Sequence, residues 1–91
     1  MKDTYVDVRL ELDLDALTAQ EDPTRFIVEL AREEADRLCA EHGAQLRTDS
    51  APEVYLEKGE HRLTGQMCLL VATRWKVRAP YGVPEGPPRV V

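Results

Sequence analysis

Apolar and polar residues alternate along the start of the chain. Aliphatic residues occupy every second position, with acids or an arginine between them; they are Val6, Val8, Leu10, Leu12 and Leu14. A period of two is typical of a β-strand with one buried face and one solvated face. The pattern therefore predicts a first strand whose exposed face is mostly acidic, followed by a connection over residues 16–21.

The apolar spacing changes to that of a helix after Asp22-Pro23. The Asp22 carboxylate can accept hydrogen bonds from exposed amides, and Pro23 suits a first helical position. Apolar residues then recur at the spacing of one helical face; they are Phe26, Ile27, Leu30, Ala31, Ala35, Leu38 and Cys39. Gly43 can adopt the left-handed conformation that ends a helix. We expect a helix over residues 23–42.

Two further strands are predicted in the second half of the chain. Residues 53–57 form the second, and Lys58-Gly59-Glu60 suits a tight turn because glycine permits positive φ. A strand over residues 45–49, with Pro52 at a bulge, would lengthen the second strand, and this alternative stays open. The third strand begins near His61 or Arg62 and covers the long apolar stretch from Leu63 to Val77.

The third strand is apolar on both faces in its middle. Its odd-numbered residues, from Leu63 and Met67 to Trp75 and Val77, form a core face. Its opposite face is apolar only at Cys68, Leu70 and Ala72, as expected for a sheet whose back is covered.

Together these elements predict an α+β fold with the order β-α-β-β. We expect a three-stranded, mainly antiparallel sheet with one helix packed on one face. Residues 1–79 would form the single domain, and residues 80–91, which hold four of the six prolines, would form an irregular C-terminal arm.

A single helix leaves the other face of the sheet open. The apolar patch there, flanked by Arg74, suits contact with a second copy of the chain. The leading hypothesis is a non-enzymatic interaction protein that self-associates through its sheet and engages a protein partner with the arm. The predicted interface residues are Cys68, Leu70, Ala72, Arg74 and, as an anchor in the arm, Tyr81. Alternatively, the arm or residues 44–52 fold over this patch.

The charge balance makes nucleic-acid binding unlikely. Residues 1–50 hold thirteen acids and six bases, residues 51–91 hold four acids and six bases, and the net charge is −5. Such a chain is repelled by a phosphate backbone unless its cations cluster on one face. No apolar run approaches the roughly 20 residues of a membrane span. With its two cysteines in apolar settings, we expect a cytoplasmic protein with reduced thiols.

A metal or enzyme site is the weakest hypothesis. Cys39 and His42 are three residues apart on the helix, and His61 and Cys68 would complete a ligand set of the types that zinc prefers. However, Cys39 also fits the apolar stripe, and Cys68 would point away from the helix. No motif places a nucleophile beside a base. We therefore predict no metal, no cofactor and no catalytic residue.

Trp75 lies among Arg74, Lys76 and Arg78. An exposed tryptophan in this setting could stack on a flat ligand, whereas the strand alternation favours packing of Trp75 in the core. In topology alone, residues 4–78 resemble the dodecins, small flavin-binding oligomers in which a tryptophan stacks on flavin. No dodecin sequence motif stands at matching positions, so the resemblance assigns no residue. It implies the alternative of a flat aromatic cofactor bound in an intersubunit cleft lined by Trp75 or Tyr55.

Overall fold

The computed structural model describes residues 4–60, 65–79 and 82–90 and confirms an α+β fold. Within these residues there are two helices and five strands rather than one helix and three strands. In chain order these are β1 (Thr4–Asp13), α1 (Leu14–Thr18), α2 (Pro23–Glu41), β2 (Gln45–Leu46), β3 (Glu53–Glu60), β4 (Met67–Arg78) and β5 (Arg89–Val90).

The five strands form one mixed sheet around β4. Strand β1 runs antiparallel along one edge of β4, with Thr4 opposite Val77 and Asp13 opposite Cys68. Strands β2 and β3 lie one after the other along the opposite edge, both antiparallel to β4. The predicted second strand at residues 53–57 is present within β3. The alternative of one longer strand from residue 45 is met only in part, because β2 and β3 are separated around Pro52, which cannot donate a backbone hydrogen bond. Strand β5 adds a short parallel pairing on the outer side of β1.

The core lies between α2 and one face of β1 and β4. The predicted alternation of β1 is confirmed, because its even-numbered residues from Val6 to Leu12 are buried. From α2, the buried residues are Ile27, Ala31, Glu34, Ala35, Leu38 and Cys39. Helix α2 packs on β1, β2 and β4, which leaves β3 beyond its reach.

Helix α2 begins and ends as predicted. An Asp22 carboxylate oxygen accepts a hydrogen bond from the Arg25 amide at 3.1 Å, and Pro23 occupies the first helical position. Beyond the helix, Gly43 adopts a φ of 67°. The prediction that Leu14 ends the first strand is wrong, because Leu14 begins α1. The Asp13 carboxylate caps that short helix by accepting from the Asp15 amide at 3.1 Å.

The predicted turn at Lys58-Gly59-Glu60 is wrong, because these residues continue β3. Glu60 lies opposite Met67, so the connection to β4 comes later and includes Gly65 at a φ of 69°. Gly59 serves a different purpose. A Cβ at this position would lie only 2.8 Å from a Leu70 methyl carbon, so glycine makes room for that side chain. The predicted start of the third strand, near His61 or Arg62, lies outside the described residues.

The predicted C-terminal arm is irregular over residues 82–88, as expected, but it is not a separate arm, because residues 82–90 follow the outer edge of β1. The Val83 amide donates to the Tyr5 carbonyl at 3.3 Å, and the Val83 side chain is buried in the core. Arg89 and Val90 then pair with residues 10 and 11 of β1. The backbone groups of a sheet edge require partners, and this C-terminal segment supplies them.

The C-terminal segment also contacts α2. Gly86 lies so close to Leu38 that an added Cβ would be 3.0 Å from a methyl carbon of that leucine. Arg89 lies 3.5 Å from a Glu33 carboxylate oxygen and 3.7 Å from one of Glu34. Glu34 is buried and also pairs with Arg37. The C-terminal segment therefore packs against the domain at two places, the outer edge of β1 and helix α2.

Candidate interaction surface

Four of the five predicted interface residues share one face of β4. Cys68, Leu70, Ala72 and Arg74 alternate with the core-facing residues and point away from α2, on what we term the back face of the sheet. Cys68 is buried, Leu70 is half-buried, and Ala72 and Arg74 are exposed. Tyr81 lies outside the described residues. The structure thus brings together four residues chosen from the sequence pattern.

A groove of ≈ 590 Å³ runs across the back face. The side chains on its floor, from β4, are apolar, whereas the flanking strands contribute Arg9, Glu11 and Glu57 as well as Tyr55 and Leu56. Residues lining it include Arg9, Tyr55, Glu57, Leu70, Ala72 and Pro88. The groove therefore combines a narrow apolar strip with charged walls.

Ion pairs within the chain engage the arginines beside the groove. The Arg74 guanidinium donates from Nε to an Asp7 carboxylate oxygen at 2.9 Å and lies 5.4 Å from the centre of the Tyr5 ring. The hydrogen bond to Asp7 raises the pKa of Arg74 above its ordinary value. Arg9 pairs with Glu85 of the C-terminal segment at 2.8 Å. Exposed pairs of this kind add little stability, but they hold the arginine side chains beside the apolar strip.

Strand β3 carries apolar side chains that sequence reasoning did not select as an interface. Val54, Tyr55 and Leu56 are 40%, 63% and 58% exposed. Tyr55 lies on the back face, opposite Ala72, whereas Val54 and Leu56 lie on the side of the sheet that bears α2. In the described parts of the chain, β3 pairs only with β4, so no strand borders its outer edge.

Met67 is a further exposed apolar residue beside β3. The strand pattern placed Met67 on the core face, but its side chain is 53% exposed. It lies opposite Glu60 at the end of the β3–β4 pair, where α2 does not cover the sheet. The three successive apolar residues at 54–56 indicate from the sequence alone that β3 exposes apolar surface, because one helix cannot cover both faces of a strand.

Trp75 belongs to the core, as predicted from its position on the same face of the strand as Val71 and Val77. Its indole ring is buried, and Nε1 donates to the Thr73 hydroxyl oxygen at 2.8 Å. The Thr73 hydroxyl in turn lies 3.4 Å from the Val8 carbonyl oxygen, to which it donates. Trp75 therefore presents no face to a ligand, and Tyr55 is the aromatic side chain that borders the groove.

The structure does not bring the possible metal ligands together. Cys39 is buried on the α2 side of the sheet, and this burial, followed by the nearby Asp36, raises the pKa of its thiol. Cys68 lies on the back face, His42 is exposed at the end of α2, and His61 lies outside the described residues. Within residues 4–60, 65–79 and 82–90, no cluster of three or more histidine, cysteine or acidic side chains could hold a metal ion.

Comparison with known protein families, curated proteins and solved structures finds no match for this chain. Neither helix in the described residues is long and apolar enough to cross a membrane.

Proposed function

We propose that this chain is a non-enzymatic assembly protein that self-associates through its sheet. The observation that carries the proposal is the exposure of β3. Val54, Tyr55 and Leu56 expose apolar surface on both faces of a strand whose outer edge has no neighbour in the described chain. Unpaired edges and contiguous apolar surface are features through which sheets associate.

A second copy is the occupant that we favour for this surface. Its charges support that choice, because the apolar run at residues 54–56 is flanked by charges of both signs, with Glu53 on one side and the adjacent Glu57 and Lys58 on the other. An antiparallel copy of the same strand can therefore place its lysine beside apolar or acidic positions of the first copy.

The test is molar mass by light scattering over a range of protein concentrations. We expect a mass well above the 10.3 kDa of one chain, and we expect Leu56→Asp to return it towards the monomer because a carboxylate would be desolvated at the contact. Val90→Asp is the matched control, since Val90 is 61% exposed at the opposite side of the sheet. Helix content measured by circular dichroism should be unchanged in both variants.

A wild-type chain that stays monomeric at every concentration would contradict the proposal. So would Leu56→Asp and Leu70→Asp variants that both keep the full assembly mass, because the first tests β3 and the second tests the back face.

A second candidate function is the binding of a flat aromatic ligand beside Tyr55. The groove volume of ≈ 590 Å³ is within the roughly 300–1,000 Å³ of small-molecule sites. Trp75 is buried, so of the two aromatic residues expected to line such a cleft only Tyr55 is placed to stack on a ligand. Visible absorbance that co-elutes with the protein and is lost in Tyr55→Ala would favour this candidate over assembly alone.

Engagement of a protein partner by the C-terminal segment and a cytoplasmic location remain predictions from the sequence. Pro84, Pro87 and Pro88 are exposed and could meet a partner, although Val83 and Arg89 contact the domain itself.

A further inference from the structure

We propose that two copies pair through the outer edges of their β3 strands, antiparallel, about a two-fold axis that passes beside Leu56. This inference rests on the proposed self-association and specifies its geometry. It joins the two five-stranded sheets into one continuous sheet.

The edge of β3 is suited to such pairing by its length and its accessibility. It has eight residues, Glu53–Glu60, and proline stands before it at position 52 rather than within it. Seven of these residues are exposed, and Gly59 is half-buried. Edges that proteins protect are short, bulged, covered, interrupted by proline or charged. Strand β3 carries charges, at Glu53, Glu57, Lys58 and Glu60, but in the described chain it has none of the other protections.

Symmetry restricts how two such strands can pair. A two-fold axis perpendicular to the sheet keeps each residue on its own face, and side chains directly opposite each other share a face. Because side chains alternate along a strand, the numbers of two opposing residues must then have an even sum. The axis must therefore pass beside a residue that opposes its own copy, rather than between two residues. Each choice of this central residue within β3 gives a different register.

The charges of β3 select among these registers. With Tyr55 on the axis, Glu53 would oppose Glu57 of the second copy; with Glu57 or Lys58 on the axis, that residue would oppose its own copy. Like charges directly opposite each other destabilise a strand pair. With Val54 on the axis, only three residues of each strand would overlap.

The register centred on Leu56 avoids these conflicts. It places Leu56 against its own copy, Val54 opposite Lys58, Tyr55 opposite Glu57 and Glu53 opposite Gly59. The aliphatic part of the lysine side chain can lie along the valine. Both α2 helices then lie on the same side of the joined sheet, and Val54 and Leu56 of the two copies form one apolar strip between them.

Disulfide cross-linking tests this register in the full-length chain. Single cysteines replace each residue from 54 to 58 and, for the back face, Leu70. The wild-type chain is the control because Cys39 and Cys68 are both buried. Under mild oxidation, Leu56→Cys should give the highest yield of covalent dimer, since directly opposed Cα atoms are about 4.5–5.5 Å apart, within the span of a disulfide. Mixed Val54→Cys and Lys58→Cys chains should cross-link with each other more than either does alone.

The outcomes separate this inference from the proposed function. A dimeric mass with the highest yield at another β3 position would overturn the register while self-association stands. A dimeric mass with cross-linking at Leu70→Cys and none along β3 would overturn edge pairing and favour the back face. A monomeric mass without cross-links would overturn both proposals.

Discussion

The hydroxyl of Thr73 connects two groups in the core. Its oxygen accepts from the Trp75 indole at 2.8 Å, and its proton is directed to the Val8 carbonyl at 3.4 Å. We expect Thr73→Val to lower the free energy of unfolding by about 1–3 kcal/mol, because the buried indole N–H would lose its acceptor while the side-chain volume is kept. Urea unfolding followed by tryptophan fluorescence measures this change.

Thr48→Val is the matched control for that substitution. Thr48 is exposed, so the same chemical change should alter the free energy of unfolding by no more than about 0.5 kcal/mol. Equal effects of the two substitutions would show that the hydrogen bond of Trp75 does not stabilise the fold.

Asp49 provides a pH-dependent measurement at the residue scale. The Arg47 guanidinium donates to its carboxylate, at 2.7 Å for the shorter contact, and this hydrogen bond lowers the pKa of Asp49. Because the pKa is lower in the folded chain, the stabilisation is present above the unfolded pKa and is lost as pH falls through the folded value.

When the Asp49 carboxyl carbon is followed by NMR, the titration midpoint should therefore lie below the ordinary aspartate pKa of about 3.9. In Arg47→Met, the titration midpoint should move upwards, towards that ordinary value. An identical midpoint in the variant would show that the pair does not persist in solution.

At the scale of elements, the C-terminal segment stabilises the domain through Val83. Val83→Ala should lower the free energy of unfolding by about 2 kcal/mol, because two buried methyl groups are lost and a cavity remains. Val90→Ala removes the same atoms from an exposed position and should change it by less than about 0.5 kcal/mol. Denaturant unfolding of the two variants measures the difference; a loss no larger for Val83→Ala would mean that the segment is not docked.

The elements that sequence predicted correctly are those with local signals. Asp22, Pro23 and Gly43 mark the ends of α2 through their own backbone preferences, and β1 shows its period of two over ten residues. Gly59 misled because its reason is non-local: it makes room for Leu70 on the neighbouring strand. Gly59 has no positive φ; in the connection between β3 and β4, the positive φ is at Gly65.

The docking of the C-terminal segment was also beyond local reasoning. Pro84, Pro87 and Pro88 correctly exclude regular structure at their own positions. Nothing in their composition reveals that Val83 reaches the core or that Arg89 pairs beside Leu10. Those contacts depend on the unpaired outer edge of β1, which exists only once the sheet has formed.

At the scale of the whole molecule, the candidate surface was predicted in part. The alternation of β4 placed Leu70 and Ala72 on the back face, where the structure has them. The exposure of Val54, Leu56 and Met67 depends on where α2 lies across the sheet. Helix α2 packs on β1, β2 and β4. The apolar run at residues 54–56 indicates that one face of β3 is left exposed, but it does not indicate that α2 leaves the other face exposed as well.

The two borders of the sheet differ in a way that limits growth. On one side, the chain's own residues 83–90 run beside β1; on the other, β3 is open. In polymer chemistry, a monomer with a single reactive end cannot propagate a chain, and its reaction stops at the pair. The border at β5 is only two residues long and directly follows Pro87 and Pro88, so it offers little for a further copy to pair with. If copies pair through β3 as proposed, assembly is therefore complete after one event and does not continue into a fibre.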